Sequence, residues 1–228
     1  MLEKVRKEKR DLFIHEAAEI LGMYGIPMVR GVPVADEREA VQAAKQLGFP
    51  VAMKVISQEI SHKSDVGGVQ LNLRSEAGVN DAYQDMLRRI RQEYPKAKIE
   101  GVLIQSMVTG GRELIVGGRQ DEQFGPIVLV GLGGIFVEIF GEVSVRVAPI
   151  SHREAMEMID ELRGAPIFKG ARGLKPSDIQ SVVEVLLRLS QLLGDFPEIQ
   201  EMDINPLRVF SIREGCMALD VRMILRKD

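Results

Sequence analysis

The sequence predicts a mixed α/β protein of the α+β type, folded as two lobes. Three observations carry that expectation. Up to about residue 100, helical and extended patterns alternate. From residue 101 to 150, four extended runs follow one another with short turns rich in Gly, Asp and Pro. Two long amphipathic segments and a final pair of extended runs come after them. The change of rhythm divides the chain into a smaller lobe, residues 25–99, and a larger one made of residues 1–24 and 100–228.

The elements follow in order. "DLFIHEAAEILGMY", from Asp11 to Tyr24, sets Phe13, Ala17, Ile20, Leu21 and Tyr24 on one helical face, with Asp11 as its cap and Gly25 as its stop. "MVRGVPV" is extended. "DEREAVQAAKQLG" joins an acidic first turn to helical apolar spacing and a terminal glycine, so it is a helix. "PVAMKVI" is a buried strand and "GVQLNL" a second one. "SEAGVNDAYQDMLRRIRQEYP" is an amphipathic helix closed by Pro95. In the second half, "GVLIQSMV", "RELIVGGRQ", "PIVLVGLG" and "SVRVAPI" are strands. "SHREAMEMIDELRG" and "KPSDIQSVVEVLLRLSQLLGDFP" are helices, and "IQEMDINPLRVF" and "GCMALDVRMIL" complete the sheet.

Composition excludes several functions. The 228 residues carry a net charge of −3 and no tryptophan, which speaks against a nucleic-acid footprint or a base-stacking platform. The single cysteine, Cys216, excludes an intramolecular disulfide and a Cys-rich metal site. The N-terminal "MLEKVRKEKR" is charged where a secretory signal is apolar, and no apolar run reaches the roughly 18 residues of a membrane span. The expectation is a soluble, cytoplasmic protein with neither nucleic-acid nor membrane partners.

The stretch "SHKSDVGGV", Ser61–Val69, links two strands yet carries an imidazole, a cation and a Gly-Gly pair. Just before it, Lys54 interrupts an apolar strand, where an ammonium needs an anion or water. A stem that snorkels to the sheet edge is the plain alternative. Gly67 and Gly68 allow close backbone approach to phosphate oxygens, which favours an anion-binding reading of Lys54. Near the C-terminus, Asp203 and Asn205 are two apart and share a strand face, and Asp220 sits on the neighbouring strand. Few oxygen ligands of this kind suit Mg²⁺ held together with phosphates, although Asn-Pro also starts turns. Glu113 opens a strand beside them. His15 reads as a helix-surface residue and His152 as one at a helix start, neither with an assigned function; Cys216 reads as inert packing, and His62 as a loop histidine whose ring could donate to a phosphoryl group.

Taken together, "YGIP", "GFPVAMKVIS", "SHKSDVGGVQLNL", "GVLIQSMVTGGRELIVGGRQDEQFGPIVLVGLGGIFVE", "GARG" and "EMDINPL" resemble the ATP-grasp fold. More narrowly, the chain resembles the β subunit of ADP-forming acetyl-CoA synthetases (acetate–CoA ligases of the NDP-forming acyl-CoA synthetase family). The resemblance implies two lobes with a nucleotide bound between them. It also implies a ligase that interconverts acyl-CoA, ADP and phosphate with acid, ATP and CoA, and that is active only with an α subunit. That partner would carry the CoA-binding domain and a phosphorylatable histidine, in an α2β2 heterotetramer. By the same resemblance, His62 receives or stabilises the phosphoryl group and Asp203 positions the incoming phosphohistidine. Lys54, Gly67 and Gly68 hold nucleotide phosphates, Glu113 lies in the nucleotide pocket, and a hinge around Glu100 and Val102 meets the adenine. Asn205 and Asp220 hold Mg²⁺ with ATP or ADP. Two other readings share part of this machinery: an ATP-grasp carboxylate–amine or carboxylate–thiol ligase using a free acyl phosphate, and a non-catalytic nucleotide-binding subunit.

Overall fold

The computed structural model describes residues 1–60, 63, 65–133, 143–170 and 175–226. They form two compact units, one of Met1–Met28 with Gly110–Asp228 and the other of Val29–Thr109. The chain enters through the larger unit with helices α1 (Leu2–Lys7) and α2 (Ile14–Met23). Asp11 does not cap α2. The extended Phe13 is the cap, and the Glu16 carboxylate reaches back to accept its N–H at 2.9 Å. Arg10 donates to both oxygens of Glu16 at 2.6 and 2.7 Å, fixing that first turn. The buried face is therefore Ile14, Ala17, Ile20 and Leu21, without Phe13.

The smaller unit contains β1 (Gly31–Val34), α3 (Glu37–Leu47), β2 (Val51–Ile56), β3 (Val69–Leu73), α4 (Glu76–Glu93) and β4 (Gly101–Ser106). Its antiparallel sheet runs β1-β4-β2-β3. The helices start where the sequence supplies caps: Asp36 accepts the Glu39 N–H and Ser75 the Gly78 N–H. Both helices cover one face of the sheet, burying Ala44, Met53, Val55, Met86, Ile90 and Ile104 in one apolar cluster. Because β4 is hydrogen-bonded between β1 and β2, it belongs to this unit. The boundary expected at residue 99/100 accordingly lies at 109/110.

The rest of the larger unit is β5 (Arg112–Asp121), β6 (Gly125–Leu132), β7 (Val143–Val147), α5 (His152–Asp160), α6 (Ala165–Phe168), α7 (Ile179–Asp195), β8 (Ile199–Val209), β9 (Cys216–Ala218) and β10 (Val221–Leu225). Its antiparallel sheet runs β10-β8-β5-β6-β7, with β9 added beside β8. Alternation sends Leu114, Val116, Val128, Val130, Met202 and Ile204 to one wholly buried face. There α7 packs with Leu186, Leu189 and Leu193. On that face of β5 the buried Gln120 donates to the Leu193 carbonyl at 2.8 Å. The opposite face carries the polar residues that concern function.

Two local irregularities shape that face. Leu114 faces Leu207 while Val116 faces Ile204, so Asn205 and Pro206 together span Ile115 as a β-bulge. The peptide bond between them is cis. In addition, the run expected as one strand, "GCMALDVRMIL", is broken into β9 and β10. The Leu219 N–H turns to the Pro206 carbonyl at 3.0 Å, and the Asn205 N–H donates to the Asp220 carbonyl at 3.2 Å.

Candidate functional site

In the smaller unit, Met53 and Val55 enter the apolar cluster, so Lys54 projects from the other face of β2, flanked by Leu103 of β4 and Val69 of β3. It is only 7% exposed, and the sequence spends a buried cation there. Gln105 is on the same face of β4, opposite Ala52, and is 3% exposed. Among the described residues its amide Nε2 is buried without a hydrogen-bond partner. A buried donor in that condition is what a bound acceptor would satisfy. Spacing did not single out Gln105, because a glutamine in an apolar strand has no motif of its own.

Beyond β2, Gly67 adopts φ +69°, a conformation that favours glycine. Gly68 has a packing role. A Cβ there would lie 2.8 Å from Val55 Cγ1 and 2.9 Å from the Lys63 carbonyl. Its N–H donates to that carbonyl at 2.7 Å. His62 lies outside the described residues, as do most of "GLGGIFVE" and of "GARG".

Glu100 lies just before β4 and Val102 within it, both in the smaller unit. Val102 is wholly buried in the apolar cluster, between Val34 and Val55 on its two neighbouring strands. The Glu100 carboxylate pairs with Lys98 at 2.7 Å, and its N–H is used by the Ile56 carbonyl. The segment joining the units is residues 107–111, several positions further on.

In the larger unit, strand register gathers the remaining candidates on the sheet face away from α7. Glu113 on β5 stands opposite Arg208 on β8, whose Nη2 donates to its Oε1 at 2.6 Å. Asp203 on β8 lies between Gly117 of β5 and Arg222 of β10. Burial pushes the Asp203 carboxyl above the ordinary carboxylate range. Arg222 pulls it back, while Glu201 and Asp220 add to the rise. Asn205 is exposed on the bulge, tied through its main chain to Asp220, whose Oδ1 accepts the Val221 N–H at 2.9 Å. Among the described residues no group of three or more His, Cys, Asp or Glu side chains is arranged to hold a metal. An amide oxygen and a carboxylate instead fit Mg²⁺, which keeps waters and takes one or two protein oxygens beside phosphates. No helix among the described residues is long and apolar enough to cross a membrane.

Comparison with known proteins adds the context for this geometry. A family model described as ATP-grasp domain matches residues 4–225. The β subunit of acetate–CoA ligase [ADP-forming] I from Pyrococcus furiosus is 44% identical over 225 residues, covering 99% of this chain and 96% of that subunit. The 4-hydroxybutyrate–CoA ligase [ADP-forming] of Nitrosopumilus maritimus is also 44% identical, and 98% of this chain spans only 32% of its length. The dinucleotide-forming acetyl-coenzyme A synthetase 1 of Ca. Korarchaeum cryptofilum, solved with coenzyme A, Ca-AMPCP and HgCl⁺, is 42% identical. It superposes with a TM-score of 0.95 over 99% of this chain and 98% of that one. The same synthetase has been solved with coenzyme A and Mg-AMPPCP, its phosphohistidine segment pointing towards the nucleotide binding site. That structure is 39% identical and has a TM-score of 0.85 over 99% of this chain and 98% of that one.

Proposed function

The chain belongs to the ATP-grasp family and, within it, to the β subunits of the ADP-forming acetate–CoA ligases, and from that membership we propose that it is the nucleotide-binding half of an acid–thiol ligase. Its reaction is the reversible conversion of acyl-CoA, ADP and phosphate to acid, ATP and CoA. The observation that carries this reading is the end-to-end match to a β subunit, 99% of one chain against 96% of the other. An α subunit supplies the CoA-binding domain and a histidine that carries the phosphoryl group, in an α2β2 assembly.

Within this chain, Lys54 neutralises nucleotide phosphates and Gln105 offers its unpaired amide donor to the same ligand. Gly67 allows the loop to approach the phosphates, and His62 passes on or steadies the phosphoryl group. Glu113, oriented by Arg208, lines the nucleotide side of the larger unit. Asp203 orients the partner's phosphorylated imidazole. Asn205 and Asp220 would hold Mg²⁺, which supplies neutralisation of phosphate charge. Such transfer depends on positioning and charge neutralisation more than on covalent chemistry from the protein.

The test is phosphoryl transfer from [γ-³²P]ATP with purified chain and an added α subunit. Label reaching the α subunit only with wild-type His62 is the expected result. Nucleotide turnover by this chain alone, indifferent to His62→Ala, would point to a free acyl-phosphate ligase. ATP binding with no transfer in the full complex would point to a non-catalytic subunit.

A further inference from the structure

Asp203 is flanked by opposites. On the β5 side its neighbour is Gly117, which has no side chain, and a Cβ added there would meet the Met202 carbonyl at 2.6 Å and Asp203 Cα at 3.2 Å. On the β10 side its directly paired neighbour is Arg222. Cross-strand partners project from the same face with Cβ atoms about 4.5–5.5 Å apart. Val221 and Met223 on either side of Arg222 are buried, at 4% and 0% exposure, so the arginine stands on the outer face with Asp203 and is itself exposed.

What distinguishes Arg222 is what it leaves undone. Among the described residues its guanidinium has neither a hydrogen bond nor an ion pair within 4.0 Å, although its charge is felt at Asp203. Arg226, the next arginine along, by contrast donates to Gln200 at 3.3 Å. An arginine on an edge strand can serve only to deter strand pairing. That explanation accounts for a charge at the edge but not for its position opposite the half-buried carboxylate Asp203.

We propose that Arg222 is a further phosphoryl-binding residue, whose guanidinium holds the transferring group beside Asp203. The proposal rests on the phosphoryl-relay reading above. In that step a phosphorylated imidazole of the α subunit gives its phosphoryl group to the terminal oxygen of a nucleoside diphosphate. The phosphorus–nitrogen bond breaks and leaves its electron pair on the ring nitrogen. An oxygen lone pair of the diphosphate forms the new phosphorus–oxygen bond, and the proton on the other ring nitrogen stays in place. The moving group is anionic and must pass a carboxylate that would repel it. A guanidinium fork can bind two of its equatorial oxygens, and Gly117 sets no side chain beside Asp203 on the other flank.

The experiment uses the reconstituted complex of α and β subunits with [γ-³²P]ATP, comparing wild type, Arg222→Ala, Arg222→Lys and an Asp203→Asn control by rapid quench. The expected result is label transfer to the α subunit slowed about 10²–10³-fold in Arg222→Ala. ATP affinity in the same complex should stay within about twofold of wild type, and transfer should be partly restored by Arg222→Lys or added guanidinium ion. Transfer by Arg222→Ala at the wild-type rate overturns the proposal while leaving the relay intact. A slow variant that neither lysine nor guanidinium improves, or one whose ATP affinity falls in step with its rate, assigns Arg222 to the fold or to the nucleotide and also overturns it. A wild-type complex that never labels its α subunit sinks the relay itself, and the proposal with it.

Discussion

Arg208 and Glu113 face each other across β8 and β5, joined by a 2.6 Å hydrogen bond from Nη2 to Oε1, and the same guanidinium donates from Nη1 to the Gly110 carbonyl at 2.8 Å. Gly110 is where the chain re-enters the larger unit. The arginine is seated against Gly111, where a Cβ would lie 2.8 Å from the Val209 carbonyl and 3.0 Å from Arg208 Cγ and Cδ. One side chain thus holds both the end of the connecting segment and a carboxylate of the proposed nucleotide side.

Arg208→Ala should therefore act on function more than on folding. The pair is partly exposed, so its loss costs about 1–2 kcal/mol, counting the hydrogen bond to Gly110. Nucleotide KM should rise in Arg208→Ala and recover partly in Arg208→Lys, read by steady-state kinetics of the α–β complex. An unchanged KM beside lowered stability would reduce Arg208 to a structural staple.

Val102 separates the core from the site. Val102→Ala removes two methyl groups from a wholly buried position and should cost about 2 kcal/mol in urea unfolding. Nucleotide affinity per folded molecule should not move. A drop in affinity with stability intact would restore Val102 as a nucleotide contact.

Gln105 gives the opposite combination. Gln105→Leu removes a buried donor that has no partner among the described residues, and should raise nucleotide-free stability by about 1–3 kcal/mol. The same change should weaken ATP binding about tenfold, one hydrogen bond's worth, by calorimetry. Lower stability with unaltered binding would show that the amide serves the fold.

His15 should make the acid side of the stability curve steeper. Its Nδ1 is buried without a partner among the described residues, and its ring stacks on Phe13 with centroids 5.8 Å apart. Burial holds the imidazole below its ordinary 6.5, Arg10 adding to the effect against Glu16 and Glu19. The unfolded chain thus takes up this proton at a higher pH than the folded one. Stability is complete above about pH 6.5, declines as pH falls towards the lowered folded value, and levels off beneath it. Urea midpoints at about pH 7.5 and 5.5 should fall further for wild type than for His15→Gln. Equal falls would remove His15 from the account.

The site was legible in part. Lys54 was marked by its charge inside an apolar strand, and Asp203, Asn205 and Asp220 by oxygen-bearing side chains at strand spacing. Arg222, Arg208 and Gln105 carried no such signal. An arginine in "LDVRMIL" gains its meaning only when register sets it opposite Asp203. The same limit explains Gly68, whose contacts with Val55 and Lys63 are with residues several positions away rather than with its neighbours.

By itself, the sequence determined most of the helical and extended segments, though not α1, α6 or the break between β9 and β10, because periods of 3.6 and 2 are local and the caps at Asp36 and Ser75 are written beside the helices they start. It also supplied enough motif to name the family. Only the tertiary structure decided that β4 sits between β1 and β2, that a bulge spans Asn205 and Pro206, and that Asp203 has a glycine on one side and Arg222 on the other. The reason is physical. Strand periodicity fixes which face a side chain takes but not which strand lies beside it. That choice is made by long-range hydrogen bonding and packing, which no short stretch of sequence contains.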